Sequence, residues 1–232
     1  MVKDYSVLDW LRAFWNGNDG MPADYPLWFI RDLIVVVLCS PIIYLGVKYL
    51  RLFFIIPLGL LWLSGCWISV PGFSVDAFFF FSFGAYYGTT KKQFIVDSDK
   101  LFPLSLAIYF ILALVMFVFK DSSLRFVSYM YKIGIVVGLS VAISTVSYGI
   151  RTHSWKGRPF LANSSFFIYA YHALPLAFVS KLLIKIVDVQ SDILLTLIYF
   201  VCPAIVILLG LFIYKILNTF FPKFTTVITG GR

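Results

Sequence analysis

The chain has 232 residues, 61% hydrophobic and 13% charged, with a mean hydropathy of +0.92. A soluble domain carries about 25% charged residues, so the balance fits a polytopic helical membrane protein. The formal net charge of +8 is spread over short loops between apolar runs, which argues against a nucleic-acid partner.

Residues 1–25 are polar and aromatic, without the continuous apolar core of a cleavable signal peptide. Within them Val7, Leu8, Leu11, Phe14 and Trp15 recur at helical spacing, and Ser6 with Asp9 forms an N-cap signal. With Trp10 and Trp15 on the apolar side, the spacing predicts a short helix. That helix either lies in the membrane interface or packs on neighbouring protein. Gly17, Gly20, Pro22 and Pro26 then break the chain. Residues 1–26 therefore read as an extracytoplasmic interfacial segment, and 27–232 as a transmembrane domain.

Seven apolar segments follow, at 27–47, 52–70, 75–90, 101–119, 128–149, 164–187 and 192–217. Each approaches the length a bilayer core needs at about 1.5 Å per residue. The third is short and holds the Phe run at 78–81, as a barely tilted or re-entrant segment would. The start of the fifth is blurred by Arg125 and Lys132. The expected fold is an all-α bundle of about seven spans, with no internal repeat of the transporter kind.

Charge counting orients it. With residues 1–26 outside, the inside loops carry Lys48, Arg51, Lys91, Lys92, Lys100, Arg151, Lys156, Arg158, Lys215, Lys223 and Arg232, eleven of the nineteen basic residues. Lys3, Arg12, Lys120, Arg125, Lys132, Lys181 and Lys185 fall outside or at helix ends, and Arg31 lies within the first span. The positive-inside rule thus places the N-terminus outside and the C-terminus in the cytoplasm.

All eleven acidic residues are Asp. Asp32 and Asp76 are the acids expected at membrane depth, which gives a proton relay little support. Cys39, Cys66 and Cys202 fall in separate apolar segments without metal spacing and read as small buried hydrophobes. No metal is expected. Phosphate-loop, zinc-protease, nucleophile-elbow and dinucleotide motifs are absent.

Three stretches could carry chemistry. Ser165, Tyr169 and His172 lie at i, i+4 and i+7, one stripe of a helix. An ionisable ring at that depth is either functional or a hydrogen-bonded packing residue. Arg31 and Asp32 are adjacent, so their side chains leave the helix about 100° apart and need not pair. They either meet a substrate or snorkel to the interface. The cytoplasmic loop holding Arg151, His153, Lys156, Gly157 and Arg158 either receives the phosphates of a nucleotide-like donor or only anchors topology.

Together these stretches resemble one family. Pro26-Leu27-Trp28-Phe29-Ile30-Arg31-Asp32-Leu33 is similar to a helix entrance of the membrane acyltransferase 3 family. Residues 79–88, Phe-Phe-Phe-Ser-Phe-Gly-Ala-Tyr-Tyr-Gly, resemble its Phe-rich span ending in a Gly-aromatic turn. Ser165-Phe166-Phe167-Ile168-Tyr169-Ala170-Tyr171-His172 resembles its late Ser-Phe-x-Ile-Tyr-x-x-His helix, and the ending Thr229-Gly230-Gly231-Arg232 is like that of bacterial members.

The resemblance implies a bacterial inner-membrane enzyme. Such an enzyme moves an acyl group, often acetyl, from acyl-coenzyme A as co-substrate to a carbohydrate or lipid-linked sugar, with no bound cofactor. By position it leaves Trp28, Arg31, Asp32, Ser165 and Tyr169 for substrate, while the basic loop's own chemistry makes Arg151, Lys156 and Arg158 the candidates for the donor. His172 is a weak catalytic candidate. The family's first-span His and its Arg-x-x-Arg loop have no counterpart here. The expectation is therefore a chain covering the later spans: a gene fragment, a mis-started frame, or a subunit with a separately encoded N-terminal part. A different class of function stays open, a non-catalytic transport subunit or scaffold.

Overall fold

A computed structural model describes residues 6–16, 20–90, 92–119, 125–187 and 191–230. The charges at Lys3, Lys91, Lys120, Asp188 and Arg232, and Gly17 and Gly231, lie outside these. Among the described residues the protein is all-helical, without a strand. Its helices are α1 (Val7–Asn16), α2 (Trp28–Leu38), α3 (Ser40–Leu50), α4 (Leu52–Ser64), α5 (Val75–Thr90) and α6 (Phe94–Val118). They continue with α7 (Arg125–Arg151), α8 (Pro159–Tyr171), α9 (Ala173–Val187), α10 (Asp192–Phe220) and α11 (Pro222–Ile228). A 3-10 turn, Tyr25–Leu27, leads into α2. Two compact units form, Arg31–Lys156 and Met1–Ile30 with Gly157–Arg232.

Helices cover all seven expected segments, but not as seven straight spans. Three of them, α6, α7 and α10, are long and apolar enough to cross a membrane alone. Two pairs pass only together: the turn and α2 with α3, bent by 63°, and α8 with α9, bent by 71°. The first pair breaks at Cys39, with Pro41 opening α3, and the second at His172. Among the described residues there are therefore three candidate spans by length and composition, or up to five if each bent pair counts as one. The second segment also stops early. Gly65 adopts φ +69°, a left-handed cap that ends α4 at Ser64. Cys66 consequently lies in a loop and is exposed, unlike the half-buried Cys39 and the buried Cys202.

In the unit 31–156, α3, α4 and α5 pack around Val36, Ile43, Val47, Ile55 and Tyr86. Gly46 makes the α3–α4 approach possible: a Cβ there would lie 2.8 Å from the Phe54 ring. Close backbone approach over small residues is the usual way membrane helices gain contact. Helices α6 and α7 pair along their length, leaving Phe110, Ile111, Leu114 and Phe117 exposed, as lipid-facing residues are.

The end of α4 is held from outside its own helix. Lys132, on α7, donates its ammonium to the carbonyls of Trp62 at 2.5 Å and Leu63 at 3.3 Å. A cation there meets the negative end of the helix dipole and adds a donor to the Leu63 carbonyl, while the Trp62 carbonyl also accepts the Gly65 N–H at 3.3 Å. The Trp62 indole N–H in turn donates to Asp76 of α5. So Lys132, which blurred the start of the fifth segment in the sequence, lies inside α7 with a structural task.

In the other unit, Ile198, Cys202, Val206, Gly210 and Tyr214 are buried along one face of α10 at a repeat of four. Tyr214 sits between Phe160 and Phe167 of α8, with ring centres 5.6 and 5.8 Å away. Gly210 gives room to Tyr171. Helix α1 has no buried residue, and an exposed apolar face with Val7, Trp10 and Leu11 suits a helix resting on a membrane surface. Its cap is reciprocal. The Ser6 N–H and hydroxyl donate to Asp9, and the Asp9 N–H returns a bond to the Ser6 hydroxyl.

Two predictions follow from these contacts. Replacing Lys132 by Met removes charge-assisted bonds that are about 1.5–3 kcal/mol in such settings. The thermal midpoint in detergent should fall, whereas Lys132→Arg should recover most of it; an unchanged midpoint for Met would disprove the capping role. The Ser6 hydroxyl holds the Asp9 carboxyl below its usual range, helped by the Ser6 N–H and by Arg12, against a smaller desolvation effect. A carboxyl lowered on folding stabilises α1 above its unfolded pKa, about 4. That contribution is lost as pH falls through the folded value. Amide exchange in α1 should therefore accelerate below about pH 4, and Asp9→Asn should remove this acid dependence.

Candidate functional site

The turn before α2 and the end of α8 are brought together in one unit. Tyr169 donates its hydroxyl to the Pro26 carbonyl. The Phe29 ring meets Tyr169 edge-on at 5.9 Å, and half-buried Trp28 meets Phe29 at 6.1 Å. His172 completes this run, its ring 6.0 Å from that of Tyr169. Residues 143 positions apart in the chain thus share one contact. Ser165 does not join them: its hydroxyl bonds the Ala162 carbonyl of its own helix at 2.7 Å and its side chain is exposed.

His172 lies at the bend between α8 and α9. Its Nδ1 is 2.6 Å from the Tyr169 carbonyl oxygen. A carbonyl can only accept, so Nδ1 carries the hydrogen and, in the neutral ring, Nε2 keeps its lone pair.

Arg31 and Asp32, in the other unit, do pair despite adjacency. Arg31 Nη2 lies 3.0 Å and Nε 3.1 Å from Asp32 Oδ1. Their side chains are only 5% and 3% exposed, so the guanidinium does not reach out to an interface. Both lie inside the protein, where two charges need each other to offset desolvation.

Arg151 is engaged too, 3.0 Å from Asp99 on α6. Lys156 and Arg158 are exposed, Arg158 capping the start of α8. The turn holding Lys156 is shaped by Trp155, which packs so closely on Gly149 that a Cβ there would lie 2.6 Å from the indole. Its N–H bonds the Gly149 carbonyl.

A basic cavity not anticipated from the sequence lies between α3, the Arg51 junction after it, and the end of α5. It encloses about 730 Å³ and is lined by Tyr44, Val47, Lys48, Arg51, Tyr86, Thr89, Thr90 and Lys92. Lys48 Nζ lies over the Tyr44 and Tyr49 rings at 5.6 and 5.5 Å, and Lys92 Nζ over Tyr86 at 5.4 Å. The Tyr86 hydroxyl beside Lys92 holds its ammonium above the usual lysine range, and Asp97 adds to this. Arg51 joins α3 to α4 at φ +52°, ψ −121°. That is the first central position of a type II′ turn, where glycine is the easy occupant, and an L-residue there costs about 1–3 kcal/mol. Charge counting used these cations for topology alone. Their convergence depends on α3 packing against α5, which no spacing rule measures.

A family model described as an acyltransferase domain matches residues 2–216, most of the chain. The chain belongs to the membrane acyltransferase 3 family. No curated protein and no solved structure matches it. Family and apolar helices together make this a multi-pass membrane protein of an acyltransferase family.

In this acyltransferase 3 member the buried ion pair gives a direct test. Removing one partner strands the other charge, a loss of about 3–5 kcal/mol. Asp32→Asn and Arg31→Met should each lower the thermal midpoint sharply. The Arg31→Met, Asp32→Leu double variant should lose less than either single one. Additive losses would show that the pair does not act as a unit.

Proposed function

We propose that the chain is a membrane-bound O-acyltransferase of the bacterial inner membrane. It takes an acyl group, acetyl in the simplest case, from acyl-coenzyme A and passes it to a hydroxyl of a carbohydrate or lipid-linked sugar. The observation that carries this reading is the match to the acyltransferase family over residues 2–216. The donor stays on the cytoplasmic side, which the basic loops assign to Lys48, Arg51 and Lys92, and the N-terminus lies outside.

Acyl transfer needs a base at the acceptor hydroxyl and donors near the thioester oxygen as it gains charge. His172, whose Nε2 is the acceptor when the ring is neutral, is suited to the first task. Tyr169, tied to Pro26, sets the ring's neighbourhood together with Trp28 and Phe29.

The experiment is transfer of radiolabelled acetyl from acetyl-coenzyme A to endogenous acceptors in native membranes, where any partner subunit is present. Label should enter the glycan or lipid-linked sugar fraction only when the chain is made. His172→Gln should cut the rate by about a hundredfold or more, as loss of a general base does, with the protein still folded. Chain-dependent solute flux without acetyl transfer would replace this reading with the transport one. A wild-type rate for His172→Gln would remove the base assignment while leaving the enzyme reading intact.

A further inference from the structure

The basic cavity has an imbalance that the fold does not explain. Lys48, Arg51 and Lys92 converge on about 730 Å³, with no acid among the lining residues. Among the described residues none of the three is in an ion pair. Asp97 faces Lys92 from beyond the lining, so one acid stands near three cations. All three are exposed at the cavity rim, so solvent screens much of their mutual repulsion, and an anion entering the cavity offsets what remains. The rings of Tyr44, Tyr49 and Tyr86 hold the ammonium groups in place but do not neutralise them.

Arg51 is the second observation. A solvent-facing arginine is easily placed on a helix, yet this one occupies a backbone conformation natural to glycine. Strain kept at a cavity rim is characteristic of functional sites. The position aims a planar, always-charged guanidinium where phosphate oxygens can be met by two donors at once. Thr89 and Thr90 donate to carbonyls of their own helix, which leaves the cations and the Tyr44 and Tyr86 phenols as the groups facing the space. The size is within the range of small-molecule sites, about 300–1,000 Å³.

We infer that Lys48, Arg51 and Lys92 form a binding site for an anion bearing more than one phosphate. Two sources share that chemistry, the nucleotide end of a soluble donor and the headgroup of a lipid with two phosphates. The first rests on the proposed function, because such a donor is the acyl-coenzyme A of that reaction. The anion site itself does not.

The test uses the full chain in phosphatidylcholine nanodiscs, titrated with inorganic pyrophosphate and with coenzyme A. Both should bind, more weakly as salt rises. Affinity should fall about tenfold, the loss of one charge-assisted hydrogen bond, in Lys48→Gln, Arg51→Gly and Lys92→Gln. Arg51→Gly separates this from a folding role, since glycine relieves the backbone. Its thermal midpoint should hold or rise while binding weakens, and Lys92→Arg should retain binding.

Cardiolipin, which carries two phosphates, co-purifying with the wild type, blocking pyrophosphate and lost from the variants would support the site with a lipid as occupant. Binding of neither anion nor lipid, or equal binding by all variants, would overturn the proposal. Anion binding without acetyl transfer would sink the proposed function alone. Acetyl transfer with an unchanged KM for acetyl-coenzyme A in Arg51→Gly would sink the donor assignment alone.

Discussion

A helix that ends in apolar surroundings leaves carbonyls that nothing nearby can satisfy, and each costs several kcal/mol in lipid, roughly as much as losing a hydrogen bond there. This chain has many such ends, because it is built from bent and shortened helices. At the end of α4 the answer is Lys132, reaching across from α7 to two carbonyls. At the α8–α9 bend the His172 N–H still closes on Ile168 and the Leu176 N–H on the His172 carbonyl, so the backbone ladder crosses the break. At Cys39 the same continuity appears, with Ile42 and Ile43 bonding back to it. Breaks are tolerated only where the freed groups are caught, and the groups that catch them bring polar side chains into an apolar interior.

The polar side chains of the described residues fall into two kinds, some buried and some at the surface. Some are structural: the Lys132 cap, the Trp62–Asp76 bond, the Arg31–Asp32 pair and the Arg151–Asp99 pair. Each cation in these has found its acceptor or its acid. The others are not discharged in this way. His172 keeps a free ring nitrogen after bonding Tyr169, and Lys48, Arg51 and Lys92 lie over rings or on a strained turn beside a large cavity. An acyltransferase needs a proton acceptor and a place for a polyanionic donor, and these two groups are what the proposed reaction draws on.

Much of the fold was legible because burial in a membrane demands long apolar runs, and those runs set where the helices lie. The α1 cap was legible from Ser6 and Asp9 for a local reason, since both partners lie within one turn. The breaks were harder. Pro41 and Pro175 follow two bends, yet Pro57, Pro103 and Pro203 sit inside continuous helices α4, α6 and α10. Proline position alone could not separate the cases; what decides is whether neighbouring groups accommodate the lost bond. Pairing was also out of reach from spacing. Adjacent Arg31 and Asp32 leave the helix in different directions, and only their flexible ends meet. The Tyr169–Pro26 bond and the basic cavity join distant segments, and both depend on helix approach angles that composition does not encode. Family resemblance supplied the acyltransferase reading that residue chemistry alone left open, and the match over residues 2–216 settled the family.

The central claim is that these helices serve acyl transfer from a coenzyme A thioester. It is tested most directly by free thiol released from acetyl-coenzyme A in membranes from cells that make the chain and cells that do not. The account predicts a chain-dependent, saturable release that weakens as salt rises. Equal release from both membranes, with the chain folded and inserted, would contradict it.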